Sequence, residues 1–201
     1  MTRPTTDPTT RRRTMIALFA AVSFQSTGLV GTSTAATLIS AEIAGPGASG
    51  LPNAATVLGT AAGALTIGSL MARSGPRSAL ATTYGLGTAG AVLTFAGALG
   101  RALPLVVLGM LLVGLGQGGA HLSRYVAAEL YPASRKGFAL SAIVWSGTVG
   151  AVAGPALIAP AARAAAWQGW PGLAGPIAVG VLATAGALLA AALLPGAPAP
   201  A

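Results

Sequence analysis

The sequence predicts an all-α integral membrane protein: a bundle of six transmembrane helices with both termini in the cytoplasm. Three observations carry that prediction. Of 201 residues, 54% are hydrophobic and only 7% charged, with a mean hydropathy of +0.76. A soluble domain carries about 25% charged residues, so this chain could not cover its own surface with polar groups. The apolar residues fall into runs of about 20, the length a ~30 Å hydrocarbon layer demands of a spanning helix. Finally, the basic residues sit between those runs. Eleven Lys and Arg against three acids give a net charge of +8, which on a soluble surface would suggest nucleic acid. At the ends of apolar runs they set topology instead, and no nucleic-acid partner is expected.

Residues 1–13 are Thr/Pro-rich and basic and read as a disordered cytoplasmic tail. The membrane bundle occupies 14–194. Its first apolar run, 14–41, is longer than the apolar region of a secretion signal, so Arg11, Arg12 and Arg13 flank a span and not a cleaved leader. The second and third runs cover 52–72 and 78–99, the fourth 103–126, the fifth 137–159 and the sixth 173–194. Residues 195–201 form a Pro/Ala tail, in which Pro195, Pro198 and Pro200 end any helix. Strands are excluded because a membrane barrel alternates over about 10 residues per strand, whereas these runs are twice that length without alternation.

Orientation follows from the charges. With a cytoplasmic N-terminus, the inner segments hold Arg3, Arg11, Arg12, Arg13, Arg73, Arg77, Arg124, Arg135 and Lys136, and the outer loops hold Arg101 and Arg163. That bias gives one orientation in a bacterial-type inner membrane and argues against insertion both ways.

Helices in lipid associate through close backbone contact, so small residues four apart mark packing faces. Gly59 and Gly63, Gly114 and Gly118, and the series Ser146, Gly150, Gly154 have this spacing.

Polar side chains at membrane depth are expensive unless they face protein or water. In the first run Ser26, Ser33, Thr37 and Ser40 share a face, with Gln25 and Thr32 beside them. This is a candidate cavity lining. The alternative is packing, with each hydroxyl returned to its own backbone carbonyls. In the fourth run Gln117, His121 and Arg124 are spaced four and three apart and share a face. His121 is the sole histidine, and imidazole titrates near neutral pH, so it can relay protons or simply pack. Ser141 and Trp145, four apart in the fifth run, could offer an aromatic surface to an apolar solute.

The carboxylates are Asp7 in the tail, Glu42 at the outer end of the first span and Glu129 at the inner rim. No acid lies at mid-membrane, so proton coupling would have to use His121, rim acids or a partner chain. With no cysteine, no paired carboxylates, no His-Glu-x-x-His and no phosphate loop, neither enzyme activity, a metal site nor a cofactor is expected.

Three segments resemble signatures of the major facilitator superfamily. In Gly68-Ser69-Leu70-Met71-Ala72-Arg73-Ser74-Gly75-Pro76-Arg77, the residues Gly68, Arg73, Gly75 and Arg77 fit the loop between that family's second and third helices. Ala72 stands where the family has an aspartate, and Pro76 replaces a basic residue. The stretch from Arg124 through Glu129 and Pro132 to Arg135 is similar to the fourth-to-fifth helix connection. There opposite charges can bridge helix ends and open as the protein rocks, or merely set topology. Gly150, Gly154 and Pro155 fit the antiporter signature of the fifth helix, while Ile158 and Ala159 occupy its last two glycine positions.

The resemblance covers about 14–194 and only one six-helix half of that family's architecture. It implies secondary transport of a small apolar solute, by efflux or antiport. The chain would act as a half-transporter paired with a second copy or a second six-helix half. The alternative is a non-transporting scaffold or regulatory subunit, which Ala72 favours because a lost charge weakens the gate.

Overall fold

The computed structural model describes residues 8–194, and all regular structure among them is helical. Helix α1 covers Pro8–Ala44, α2 Leu51–Leu99, α3 Leu103–Glu129, α4 Lys136–Trp167 and α5 Ala174–Ala192. Short 3-10 turns at Pro46–Ala48 and Ala133–Arg135 join α1 to α2 and α3 to α4. Proline stands in the first turn of α1, α2, α3 and α5, where its missing N–H removes no intrahelical bond. Among the described residues five helices are long and apolar enough to cross a membrane, the architecture of a multi-pass membrane protein.

Two expectations need correction. The continuous helices number five, not six, because the second and third apolar runs form the single α2. Its 49 residues would extend about 74 Å if straight, more than twice the hydrocarbon thickness. It is not straight. Gly75 has φ 76° and ψ 167°, a conformation open essentially to glycine alone, and Pro76 follows. The arm 51–74 touches α3 in the order Thr56–Gly114, then Gly63–Leu115, then Ile67–Gly118, running parallel to it. The arm 76–99 touches α3 in reverse, Thr83 at Gly119, Gly87 at Gly116, Gly90 at Gly109 and Gly97 at Val106. The chain therefore folds back at Gly75.

The second correction concerns the N-terminal tail. Residues 8–13, expected to be disordered, are helical and open α1. Arginine is a good helix former, and the Arg11 guanidinium lies 5.1 Å from the centre of the Tyr131 ring, a contact that holds this turn. Residues 1–7 and the Pro/Ala tail 195–201 lie outside the described residues.

Helix α1 is the hub. It runs parallel to α4, with Ser23 Oγ donating to the Ser146 carbonyl at 3.0 Å and Gly154 against Thr27 and Val30. It runs antiparallel to α5, with Phe24 at Gly186, Gly28 between Gly180 and Thr184, and Gly31 near Pro176. Lipid supplies no hydrophobic drive for helices to pair, so these glycine contacts, which let backbones approach, do the holding.

Two apolar clusters sit at opposite ends. One gathers Met15, Leu18, Leu80, Tyr84, Leu122, Ile143 and Leu194, so both described chain ends lie at this end. The other gathers Ala35, Ile39, Ala55, Ala98, Val106, Met110 and Ile177. Arg11 to Arg13, Arg73, Arg77, Arg124, Arg135 and Lys136 flank members of the first cluster, whereas Arg101 flanks Ala98 of the second.

Candidate functional site

The feature with the clearest chemical gradient is one stripe of α3. Val106, Met110, Val113, Gln117, His121 and Arg124 recur every three or four residues, which puts them on one side of the helix. Val106, Met110 and Val113 are fully buried, Gln117 is half-buried, and His121 and Arg124 are exposed. The stripe thus leaves the packed interior about midway along a helix roughly 40 Å long. His121 lies about 12 Å from the C-terminal end of α3 and Arg124 about 7.5 Å.

Where the stripe emerges, polar atoms are left over. The Oε1 of Gln117 is buried without a hydrogen-bond partner among the described residues. So are both polar atoms of the fully buried Gln25, on α1 beside Gly87, which itself faces Gly116 of α3. Donors and acceptors left unpaired away from water cost about 1–3 kcal/mol each, and two carboxamides at mid-bundle are the largest such group here. Thr32 Oγ1 and Ser40 Oγ are also buried without partners.

The remaining α1 hydroxyls behave differently. Thr37 donates to the Ser33 carbonyl at 2.9 Å and Ser33 to the Val30 carbonyl at 3.1 Å, so both are satisfied within the helix. Ser26 packs at Gly147 and Gly150 of α4. Ser141 and Trp145 do not join this group. The face of α4 that packs on α1 holds Ala139, Ile143, Ser146, Gly150 and Gly154, and at 100° per residue Ser141 points the opposite way. Trp145 is 67% exposed. Sequence spacing shows that two residues share a face, but not what that face meets.

The segments with family-like signatures take distinct structural roles. Gly75 is the reversal point of α2, Arg73 is exposed, and the Arg77 guanidinium donates to the Ala192 carbonyl at 2.8 Å, capping the last turn of α5. Gly68 is exposed, and a Cβ built on it would meet nothing within 4 Å. Glu129 ends α3 and Arg135 closes the following turn, both exposed. Gly150 and Gly154 are buried against α1, and α4 runs unbroken through Pro155 and Pro160.

No protein-family model and no curated protein matches the chain.

Two features are not read from the sequence. Thr83, Gly87, Gly90, Thr94 and Gly97 are spaced four, three, four and three apart, and all are buried against α3. The same small-residue periodicity that marked Gly59 and Gly63 would have found them. The buried Tyr84 hydroxyl, bonded to Ser123 Oγ at 3.1 Å, was also missed, since nothing local pairs residues 39 apart.

Proposed function

We propose that the chain is a half-size secondary transporter of the major facilitator type, moving a small solute with an apolar body by efflux or antiport. In this reading each arm of α2 crosses the membrane, giving six spans in a bacterial-type inner membrane with both termini cytoplasmic. Each arm is about 36 Å long, enough for a ~30 Å core. The α3 stripe carries the reading: it delivers His121 and Arg124 to an exposed face, next to the half-buried Gln117, where charge and imidazole need water or a partner. A single bundle supplies one wall for such a solute. A second copy, or a second six-helix half in the same orientation, supplies the other, because the basic residues crowd one end.

The test is reconstitution of the full chain into vesicles at graded protein-to-lipid ratios, with solute counterflow measured alongside subunit counting. Transport should appear only in vesicles holding at least two copies. Full-rate transport from vesicles with one copy would defeat the half-transporter reading.

The scaffold or regulatory alternative has one observation in its favour: Ala72, where the family loop carries an acid. A protein that inserts, pairs and never moves solute would support it.

A further inference from the structure

We propose that a groove on the outside of the bundle, where the start of α5 meets the end of α4, holds a phospholipid of the surrounding leaflet by its acyl chain. The proposal rests on the multi-pass membrane architecture and not on transport. The groove has a volume of about 410 Å³, within the range of small-molecule sites. Its origin lies in side-chain size. Gly175 packs against Ala161, which draws the start of α5 onto α4. Around that contact α4 offers only the methyl groups of Ala161, Ala164 and Ala165, too short to close the space over Ala178 and Leu182 of α5. Phe95, on the arm 76–99, bounds the other side and stands edge-on to Trp170, with ring centres 5.6 Å apart and planes at 63°.

Position and chemistry together select the occupant. Helix α5 meets α1 through Pro176, Gly180 and Thr184. At 100° per residue Ala178 and Leu182 point away from that contact, and Leu182 is 73% exposed. The groove therefore opens out of the bundle, where a spanning helix meets hydrocarbon and not water. Among the described residues that line it none is charged, and its polar groups are the Gln168 amide and the Trp170 indole. Arg163, the cation of α4 closest in sequence, points about 160° away from Ala161 and Ala165. An ionised ligand would find no counter-charge. Trp167, 89% exposed, and Trp170 lie where α4 gives way to α5, and tryptophan at such a helix end marks the headgroup level. From there the groove runs inward to Leu182, about 12 Å along α5. N–H donors at headgroup depth with hydrocarbon surface below them match an ester carbonyl followed by an acyl chain.

The test makes Trp170 the reporter. Trp145→Phe with Trp167→Phe leaves it as the sole tryptophan. The probe is phosphatidylcholine brominated near the top of one acyl chain, which quenches indole on contact, titrated into the full chain in detergent. Quenching of Trp170 should saturate. A control that keeps only the exposed Trp167 should be quenched in proportion to added lipid, without a plateau. Ala164→Phe, which fills the groove, should raise the half-saturating lipid concentration at least about tenfold. Leu182→Ala, which removes part of the floor without filling anything, should raise it about threefold. Brominated phosphatidylglycerol should match phosphatidylcholine within about twofold, because no lining charge reads the headgroup. Quenching of Trp170 without a plateau overturns the proposal, since it describes any lipid-facing surface. So does saturable quenching indifferent to both variants in proteins whose helical spectrum is unchanged. A preference for phosphatidylglycerol of about tenfold or more would mean that headgroup charge, and not the groove, selects the lipid. If naphthalene, but not the lipid, binds saturably and is lost with Ala164→Phe, the occupant is an uncharged solute. If the bromine never reaches Trp170 and Ala164→Phe lowers the subunit count, a second copy fills the groove. Either result also overturns the lipid.

Discussion

Helix α3 shows two kinds of surface on one cylinder. Gly109, Gly116 and Gly119 lie against the arm 76–99, and Gly114 and Gly118 lie against the arm 51–74. Between those two contacts, beginning only about 20–60° round the helix from the nearest glycine, the stripe from Val106 to Arg124 passes from buried to exposed. The glycine surface has no chemistry to offer and no room to change. The stripe has functional groups and, in its lower half, no packing that would forbid substitution. The contrast separates what keeps the bundle folded from what a solute could feel, and mutations should divide along the same line.

The largest effect belongs to the glycine side. A Cβ on Gly90 would stand 2.5 Å from the Gly109 carbonyl oxygen and 2.6 Å from the Val113 nitrogen, both backbone atoms that cannot rotate away. Gly90→Ala should cost about 1–3 kcal/mol, the usual range for overpacking, and larger residues more. Thermal unfolding in detergent, followed by loss of monodisperse protein, measures it. An unchanged midpoint would erase the proposed division.

Somewhat smaller is the effect at the reversal of α2. Gly75→Ala keeps every contact, since nothing lies within 4 Å of the added carbon, but forces a side-chain-bearing residue to φ 76°, ψ 167°. Strain of that kind is worth on the order of 1–3 kcal/mol. The midpoint should fall while helical content holds. If cysteines placed at the exposed Asn53 and Leu99, at the far ends of the two arms, still react with a membrane-impermeant reagent at unchanged rates, the arms have kept their arrangement.

These two glycines also show what was legible in the sequence and what was not. The helices were, because lipid leaves the backbone no partner except itself and every span must declare itself as a long apolar run. Gly59, Gly63, Gly114 and Gly118 were legible as packing residues for the same reason: spacing alone places them on one face. The union of two runs into one α2 was not, because a single glycine in an unusual conformation can preserve helical bonding on both sides of a reversal. Nor was the helical character of Arg11 to Arg13, which leans on Tyr131, over a hundred residues away. The candidate site was half legible. The Gln117, His121, Arg124 grouping follows from period 3.6, but the outward turn of Trp145 depends on which side of α4 meets α1.

On the stripe, substitutions should spare folding and act on solute. His121 is exposed, so His121→Gln and His121→Ala should each shift the thermal midpoint by no more than a surface change does, about 0.5 kcal/mol. If the imidazole couples protons, both should flatten the pH profile of transport. If it only donates a hydrogen bond, glutamine should restore the wild-type profile and alanine should not. A large loss of stability from either would move His121 to the packing side of the comparison.

The smallest effect in the isolated chain is expected at Gly68. It belongs to the same family-like loop as Gly75, yet a methyl there would meet open space within the single chain. Gly68→Ala should therefore leave the monomer as stable as before, or slightly more so, since alanine favours a helix over glycine by up to about 1 kcal/mol. The informative quantity is pairing. If the exposed side of the arm 51–74 is where a second bundle approaches closely, the methyl blocks that approach. Subunit counting in vesicles should then show fewer pairs, and transport should fall with them, while detergent-phase stability is untouched. Unaltered pairing alongside unaltered stability would mean that this face meets only lipid. The second wall of the cavity would then have to form on the side of α4 that carries Ser141 and Trp145.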